Sequence, residues 1–178
     1  MPLLLTTQTP EETIRLGAAL ARLCGAGDLV ALEGELGAGK TQFVRGMARG
    51  LGLCERSVSS PTFVTVQEYW PEDDKDLVLV HLDAWRFEGR PGELEGIGWG
   101  RADEGLRRGA VAAVEWPSKL GAALGTDYLS VRISHAGATQ TEEGARRIYI
   151  SGSGTWAAKM RSVVEALGKA GFTATEAV

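Results

Sequence analysis

The sequence predicts an α/β protein in which a mixed, mainly parallel central sheet lies between helical layers and ends in a late β-hairpin. Three observations predict it. Leu29-Val30-Ala31-Leu32-Glu33 is a short apolar run of the kind that forms a strand buried on both faces. It runs straight into Gly34-Glu35-Leu36-Gly37-Ala38-Gly39-Lys40-Thr41, which fits the phosphate-cradling pattern G-x-x-x-x-G-K-[ST]. Beyond it, Phe43, Val44, Met47, Ala48 and Leu51 recur at three- and four-residue spacing while Gln42, Arg45 and Arg49 take the other side, the mark of an amphipathic helix. Strand, glycine loop and helix in this order make a P-loop NTPase-type three-layer fold.

The other elements follow from local chemistry. Leu3 to Thr7 reads as a short edge strand, and Thr9-Pro10-Glu11-Glu12 as a capping box with proline at the first helical position. Ile14, Leu16, Leu20, Leu23 and Cys24 give that helix one apolar side, with Gly25 as its end. Phe63 to Tyr69 and Leu77 to Asp83 are strand-like, and the charged, proline-led stretch Pro71 to Asp76 between them suits a hairpin, so these two strands are expected to be antiparallel. Glu88 to Gly109 carries few apolar residues and reads as a mobile surface segment with one short helix near Ala102 to Arg108. Ala110 to Glu115 is a second parallel-type strand, and Tyr128 to Ser134 with Arg147 to Ser151 form the late hairpin. Met160, Val163, Val164 and Leu167 mark a terminal helix over Trp156 to Ala170, followed by a loose tail from about 172 to 178.

The chain has 178 residues, 44% of them apolar, enough for one domain spanning 1–178. A net charge of −4 argues against a stand-alone nucleic-acid binder, which carries a basic excess to meet phosphate charge. Any contact with RNA is therefore expected through a partner. No apolar stretch approaches a membrane span, and Met1 to Leu5 lacks a charged flank and cleavage site, so a cytoplasmic location is expected. Cys24 and Cys54 have neither metal-ligand spacing nor a disulfide framework, so both read as buried thiols.

A phosphate loop binds, but hydrolysis or transfer also needs magnesium, an in-line nucleophile and a group to orient it. Lys40 is placed to reach the β and γ phosphates. Asp83 and Glu115 each close an apolar run and so bring a carboxylate to a sheet edge, where they serve the phosphates or else cap a helix or pair with Arg86 or Lys119. Ser59-Ser60-Pro61-Thr62-Phe63 is either a switch that feels the terminal phosphate or ordinary turn chemistry. His81, out of phase with Val80 and Leu82, reads as a packed strand histidine, and Trp116 with Pro117 as core closure. Arg86, Arg90, Arg101, Arg107 and Arg108 are either a phosphate-sensing set or solubility residues. No Asn-Lys-x-Asp guanine motif is present, which favours ATP over GTP.

In order along the chain, the phosphate loop, Ser60-Pro61-Thr62-Phe63, His81-Leu82-Asp83-Ala84-Trp85-Arg86 and Glu115-Trp116-Pro117 resemble the motif set of the TsaE (YjeE) family from about Thr9 to Arg147. The resemblance implies a small magnesium-dependent ATPase, weak alone, that works with TsaB and TsaD to make N6-threonylcarbamoyladenosine at position 37 of tRNAs reading codons that begin with A. It implies contact with tRNA only through that complex, and none with a membrane. Residue by residue, it implies that Lys40 and Thr41 hold phosphates and magnesium, with Gly37, Ala38, Gly39 and Gln42 completing the nucleotide contacts. It further implies Glu115 as the second magnesium-linked group, Asp83 as the residue needed for hydrolysis, and Thr62 as part of the switch. Thr9, Ser118 and Arg146 match weaker nucleotide contacts of the family. Two positions depart from the family pattern: Gln42 stands where threonine usually repeats, and Trp85 where tyrosine usually follows the aspartate.

Two other function classes stay open from the residues alone. A small-molecule kinase needs an acceptor pocket and an arginine-bearing lid, for which only the segment 86–108 is available. A nucleotide-sensing adaptor would bind ATP tightly and release no phosphate.

Overall fold

The structure, a computed structural model, describes residues 2–60, 66–71, 78–90, 92–137 and 144–177. Its strands and helices are β1 (Leu3–Thr7), α1 (Pro10–Ala21), β2 (Leu29–Glu33), α2 (Lys40–Gly50), β3 (Val66–Tyr69), β4 (Leu79–Asp83), α3 (Glu93–Gly96), α4 (Trp99–Arg107), β5 (Val111–Glu115), β6 (Leu129–His135), β7 (Arg146–Gly152), α5 (Thr155–Lys169) and β8 (Thr175–Glu176). Short 3-10 turns lie at Glu55–Ser57, Pro117–Lys119 and Gly121–Leu124. Thr62, the start of the strand expected from Phe63, all of the charged connection after Pro71, Leu77 and the tip of the late hairpin fall outside the described residues.

The strand order is β3-β4-β5-β2-β6-β7-β1-β8. The central four, β4, β5, β2 and β6, run parallel. Antiparallel strands complete both sides: β3 on β4, and β7, β1 and β8 in turn beyond β6. This is the expected P-loop NTPase-type α/β sheet with a parallel centre and a late hairpin.

Side-chain alternation divides the core between the two faces. Val111 and Ala113 of β5, Val30 and Leu32 of β2 and Leu79 of β4 join the cluster that contains α1, α2 and α5. Ala112, Val114, Ala31, Val80 and Leu82 join the opposite cluster with Phe87, Ile97, Ala102 and Leu120. By the same period of two, His81 and Asp83 share the face of Leu79, and Glu115 that of Ala113. All three therefore stand on the α2 side of the sheet.

Helix α1 starts as its sequence dictates: Thr9 Oγ1 accepts from Glu12 N at 3.2 Å, and Glu12 reaches back to Gln8 N. It ends at Ala21, a turn before Gly25. Where α1 crosses α2 the backbones nearly touch, since a Cβ on Gly46 would lie 2.0 Å from the Ile14 carbonyl oxygen and one on Gly17 2.2 Å from that of Phe43.

Three expectations need correction. The segment 88–109 holds two helices, and α4 lays Ala102 and Leu106 on the second core, because Ile97, Ala102 and Leu106 supply an apolar stripe that the surrounding Gly, Arg and Glu obscure. The expected loose tail is docked: Phe172 is buried in the first core and Thr175–Glu176 pair with β1. It follows that β1 lies between β7 and β8 and is no edge, its otherwise unpaired backbone groups being satisfied by β8.

Candidate active site

Parallel strands that point the same way bring their C-terminal ends to one edge, and the loops there meet at the N-terminus of α2. The cleft at that edge is lined by Pro10, Thr13, the loop Leu36 to Gln42, Ser60, Asp83, Trp85, Glu115, Trp116, Gly144 and Arg146. The loop needs its glycines for two reasons. Gly34 passes the β6 backbone so closely that a Cβ would lie 2.3 Å from the Ile133 carbonyl oxygen, and Gly39 takes φ 109° at the N-cap of α2. No side chain caps α2 there among the described residues, so the helix N-terminus presents unspent N–H groups to the cleft.

Lys40 Nζ donates to the carbonyls of Gly34 at 2.7 Å and Glu35 at 3.0 Å. It also lies 3.9 Å from Glu115 Oε2 and 4.2 Å from the centre of the Trp116 ring. Burial pushes its pKa below the ordinary lysine value, against the opposing pull of Glu115, Asp83 and Glu33. Glu115 is the hub of the site. Its Oε1 accepts from Thr41 Oγ1 at 3.3 Å and from His81 Nε2 at 2.9 Å. Asp83, 4% exposed, takes the Trp85 backbone N–H at 2.8 Å on Oδ1.

Arg146 fastens the loop, and Trp116 flanks it. Arg146, from the start of β7, donates from Nε to the Ala38 carbonyl at 2.8 Å and from an Nη to that of Gly37 at 3.4 Å. Trp116 turns the chain after Glu115 in the left-handed region, φ 58°, with its N–H on the Leu32 carbonyl. Its ring packs against that of Trp85, centroids 4.6 Å apart.

The family model described as threonylcarbamoyl adenosine biosynthesis protein TsaE matches residues 7–147, which span every one of these lining residues. The chain belongs to the TsaE family. The family is one of tRNA threonylcarbamoyladenosine biosynthesis. The chain is 39% identical over 136 residues to the tRNA threonylcarbamoyladenosine biosynthesis protein TsaE of Bacillus subtilis, covering 76% of this chain and 80% of that one. It is 40% identical over 150 residues to the protein of that name from Streptomyces coelicolor, covering 84% and 97%. Among solved structures, Bacillus subtilis YdiB superposes with a TM-score of 0.68 at 30% identity over 95% of both chains.

In this TsaE-family chain, Gly37, Ala38, Gly39, Lys40, Thr41, Gln42, Asp83, Glu115 and Arg146 all line one cleft. Thr9 and Ser118 do not. Thr9 caps α1 and leaves the lining to Pro10 and Thr13, one turn further on, while the Ser118 N–H turns to Glu33 Oε2 at 3.4 Å. The arginines 86, 90, 101, 107 and 108 are absent from the lining; Arg90, Arg101 and Arg107 form surface ion pairs with Glu88, Glu68 and Asp103. Reading the sequence missed Pro10, Thr13, Leu36, Trp85, Trp116 and Gly144 as lining residues and His81 as the partner of Glu115. For His81 the signal was present, because its phase along β4 is that of Asp83 two residues on.

Among the described residues, no helix is long and apolar enough to cross a membrane.

Proposed function

We propose that this chain is an ATP-binding and ATP-hydrolysing accessory protein for the formation of N6-threonylcarbamoyladenosine at position 37 of tRNAs reading codons that begin with A. It acts with TsaB and TsaD in the cytoplasm, meets tRNA only through that complex, and works as one domain over 1–178. One observation carries the reading: Lys40, Thr41, Asp83 and Glu115, from three separate elements, converge on a cleft at the uncapped N-terminus of α2. Family membership supplies the pathway.

In this reading the N–H groups of residues 37–41 bind the phosphates, and Lys40 exchanges the carbonyls of Gly34 and Glu35 for phosphate oxygens. Thr41 and Glu115 are hard oxygen donors 3.3 Å apart, a pair that fits magnesium. Once bound, that ion would offset charge on the β and γ phosphates. Asp83, its carboxylate held beside the Trp85 backbone, orients the attacking water. The packed rings of Trp116 and Trp85 wall this end of the cleft.

The kinase alternative loses support. Its candidate lid, 86–108, packs α4 against the opposite face of the sheet, and the arginines there stand outside the cleft.

The deciding assay is phosphate release from ATP by the purified chain with and without TsaB and TsaD. Slow release alone and a clear gain with both partners is the expected result. Full speed alone would overturn the partner dependence, a phosphorylated metabolite in place of free phosphate would restore the kinase, and no release with partners present would leave a nucleotide-sensing adaptor.

A further inference from the structure

We propose that His81 is a positioning residue for Glu115: its ring fixes the carboxylate so that turnover, more than nucleotide affinity, depends on it. The proposal rests on the reading of Glu115 as a working group of the nucleotide site.

Among the described residues three groups meet the Glu115 carboxylate, the hydrogen-bond donors Thr41 and His81 and the Lys40 ammonium at 3.9 Å, and they are not equivalent. Thr41 Oγ1 and Lys40 Nζ belong to the phosphate loop, and in the proposed reading they turn to the phosphates and magnesium. His81 lies in the middle of β4, inside the parallel sheet, with Ala113 of β5 directly opposite it. The small Ala113 side chain leaves the ring room to lean along β5 toward Glu115, two residues on. Nε2 reaches Oε1 at 2.9 Å, with the histidine 0% and the glutamate 3% exposed. In that reading His81 is the one of the three that stays when the loop engages its ligand.

The second observation is the cost of the imidazole. Among the described residues the buried Nδ1 of His81 has no hydrogen-bond partner. An unpaired polar atom in a dry core is unfavourable, and an apolar side chain at this position would fill the space without it. What the imidazole adds over such a side chain is one N–H, and that N–H is spent on Glu115. A carboxylate oxygen accepts, so Nε2 carries the proton. Such supporting partners commonly change activity by about 10- to 100-fold when removed.

The experiment compares His81→Phe, His81→Asn, His81→Gln, Glu115→Gln and the double variant His81→Phe/Glu115→Gln in the full chain. Readouts are kcat and KM for ATP with TsaB and TsaD present, affinity for a fluorescent ATP analogue, and ring-nitrogen NMR. The chain has two histidines, so the His81 ring signals are assigned by their loss in a His81 variant. His81→Phe is expected to lower kcat about 10- to 100-fold while moving KM and analogue affinity by no more than about threefold. His81→Gln, whose amide reaches the place of Nε2, restores most of the rate, and His81→Asn, too short to reach, does not. In the Glu115→Gln background His81→Phe costs nothing more. The wild-type His81 signal shows the proton on Nε2 and shifts in Glu115→Gln.

Equal loss in the Gln and Phe variants, additive losses in the double variant, or a ring signal that ignores Glu115→Gln would each overturn the proposal. If His81→Phe fails to fold, the contrast between the Gln and Asn variants decides it. If the wild-type chain releases no phosphate, the ATPase reading falls, and the ring signals still decide whether His81 holds Glu115.

Discussion

Asp83 and Glu115 stand directly opposite each other in the parallel β4–β5 pair, each the last residue of its strand. The register puts two carboxylates, 4% and 3% exposed, on the same face of the sheet beside the buried Lys40. Two acids this close in a dry place need a cation near them, and Lys40 is at hand for Glu115 at 3.9 Å. Their contacts differ. Glu115 meets the phosphate loop through Thr41 and Lys40, whereas Asp83 holds the turn that begins with Trp85.

That difference separates binding from turnover. Lys40→Ala is expected to weaken ATP binding by at least about tenfold, because a charge-assisted phosphate contact is lost. Asp83→Ala leaves affinity within a few-fold and lowers kcat by about 100-fold or more. Nucleotide titration alongside phosphate release checks both, and equal loss of affinity in the two variants would contradict the division.

Magnesium removal should act through Thr41 and Glu115. Chelation with EDTA is expected to stop phosphate release, and Glu115→Gln to raise the magnesium concentration needed for half-maximal rate by about tenfold or more. A magnesium titration of the wild-type and variant chains measures it. An unchanged requirement would remove Glu115 from the metal's surroundings.

The close crossing of α1 and α2 makes Gly46 intolerant of a methyl group. With the new Cβ 2.0 Å from the Ile14 carbonyl oxygen, the helices must move apart, and Gly46→Ala is expected to cost about 2–4 kcal/mol. Thermal or urea unfolding gives the value. Because Pro10 and Thr13 of α1 and the loop before α2 line the same cleft, nucleotide affinity should fall as well.

The two thiols should react very differently. Burial pushes the Cys24 thiol up to about 12, Asp28 adds to this, and Lys159 only partly opposes it, so the reactive thiolate is scarce at neutral pH. Cys54 is exposed. At pH 8 an alkylating reagent is expected to label Cys54 in the folded chain and Cys24 only after unfolding, as mass spectrometry of timed samples would show.

A surface network offers a pH test. Arg49 donates to Glu55 with both Nε and Nη2 and also pairs with Glu11, joining α2 to the turn at Glu55 and to α1. The guanidinium holds the Glu55 carboxyl below its ordinary range. A carboxylate with a depressed pKa in the folded chain stabilises above its unfolded value, and that contribution is lost as pH falls through the folded one. Glu55→Gln should therefore cost stability at pH 7, no more than about 1 kcal/mol because the pair is only part-buried and screened by solvent, and the difference from wild type should vanish in acid. Unfolding curves at several pH values test the sign.

The phosphate loop, the strand before it, the helix after it, and the delivery of Asp83 and Glu115 to strand ends are all legible in the residue order. These are local properties: a period of 2.0 or 3.6, a glycine pattern, an apolar run closed by an acid. In segment 88–109 the helix near Ala102 to Arg108 was legible, but α3 and the docking of α4 were not, because the apolar stripe of Ile97, Ala102 and Leu106 is thin until the second core is there to receive it. The tail escaped because two residues of strand have no signature without β1 beside them. At the site, a motif could name Lys40, Thr41 and Glu115, but their meeting depends on β5 lying next to β2 and α2 packing over both. The assembled fold alone brings His81 to Glu115, sets Trp116 under Lys40, and gives the lining to Pro10 and Thr13 where Thr9 has no part in it. Those relations join residues far apart in the chain, and a contact across a sheet is set by strand order and register, which local spacing does not encode.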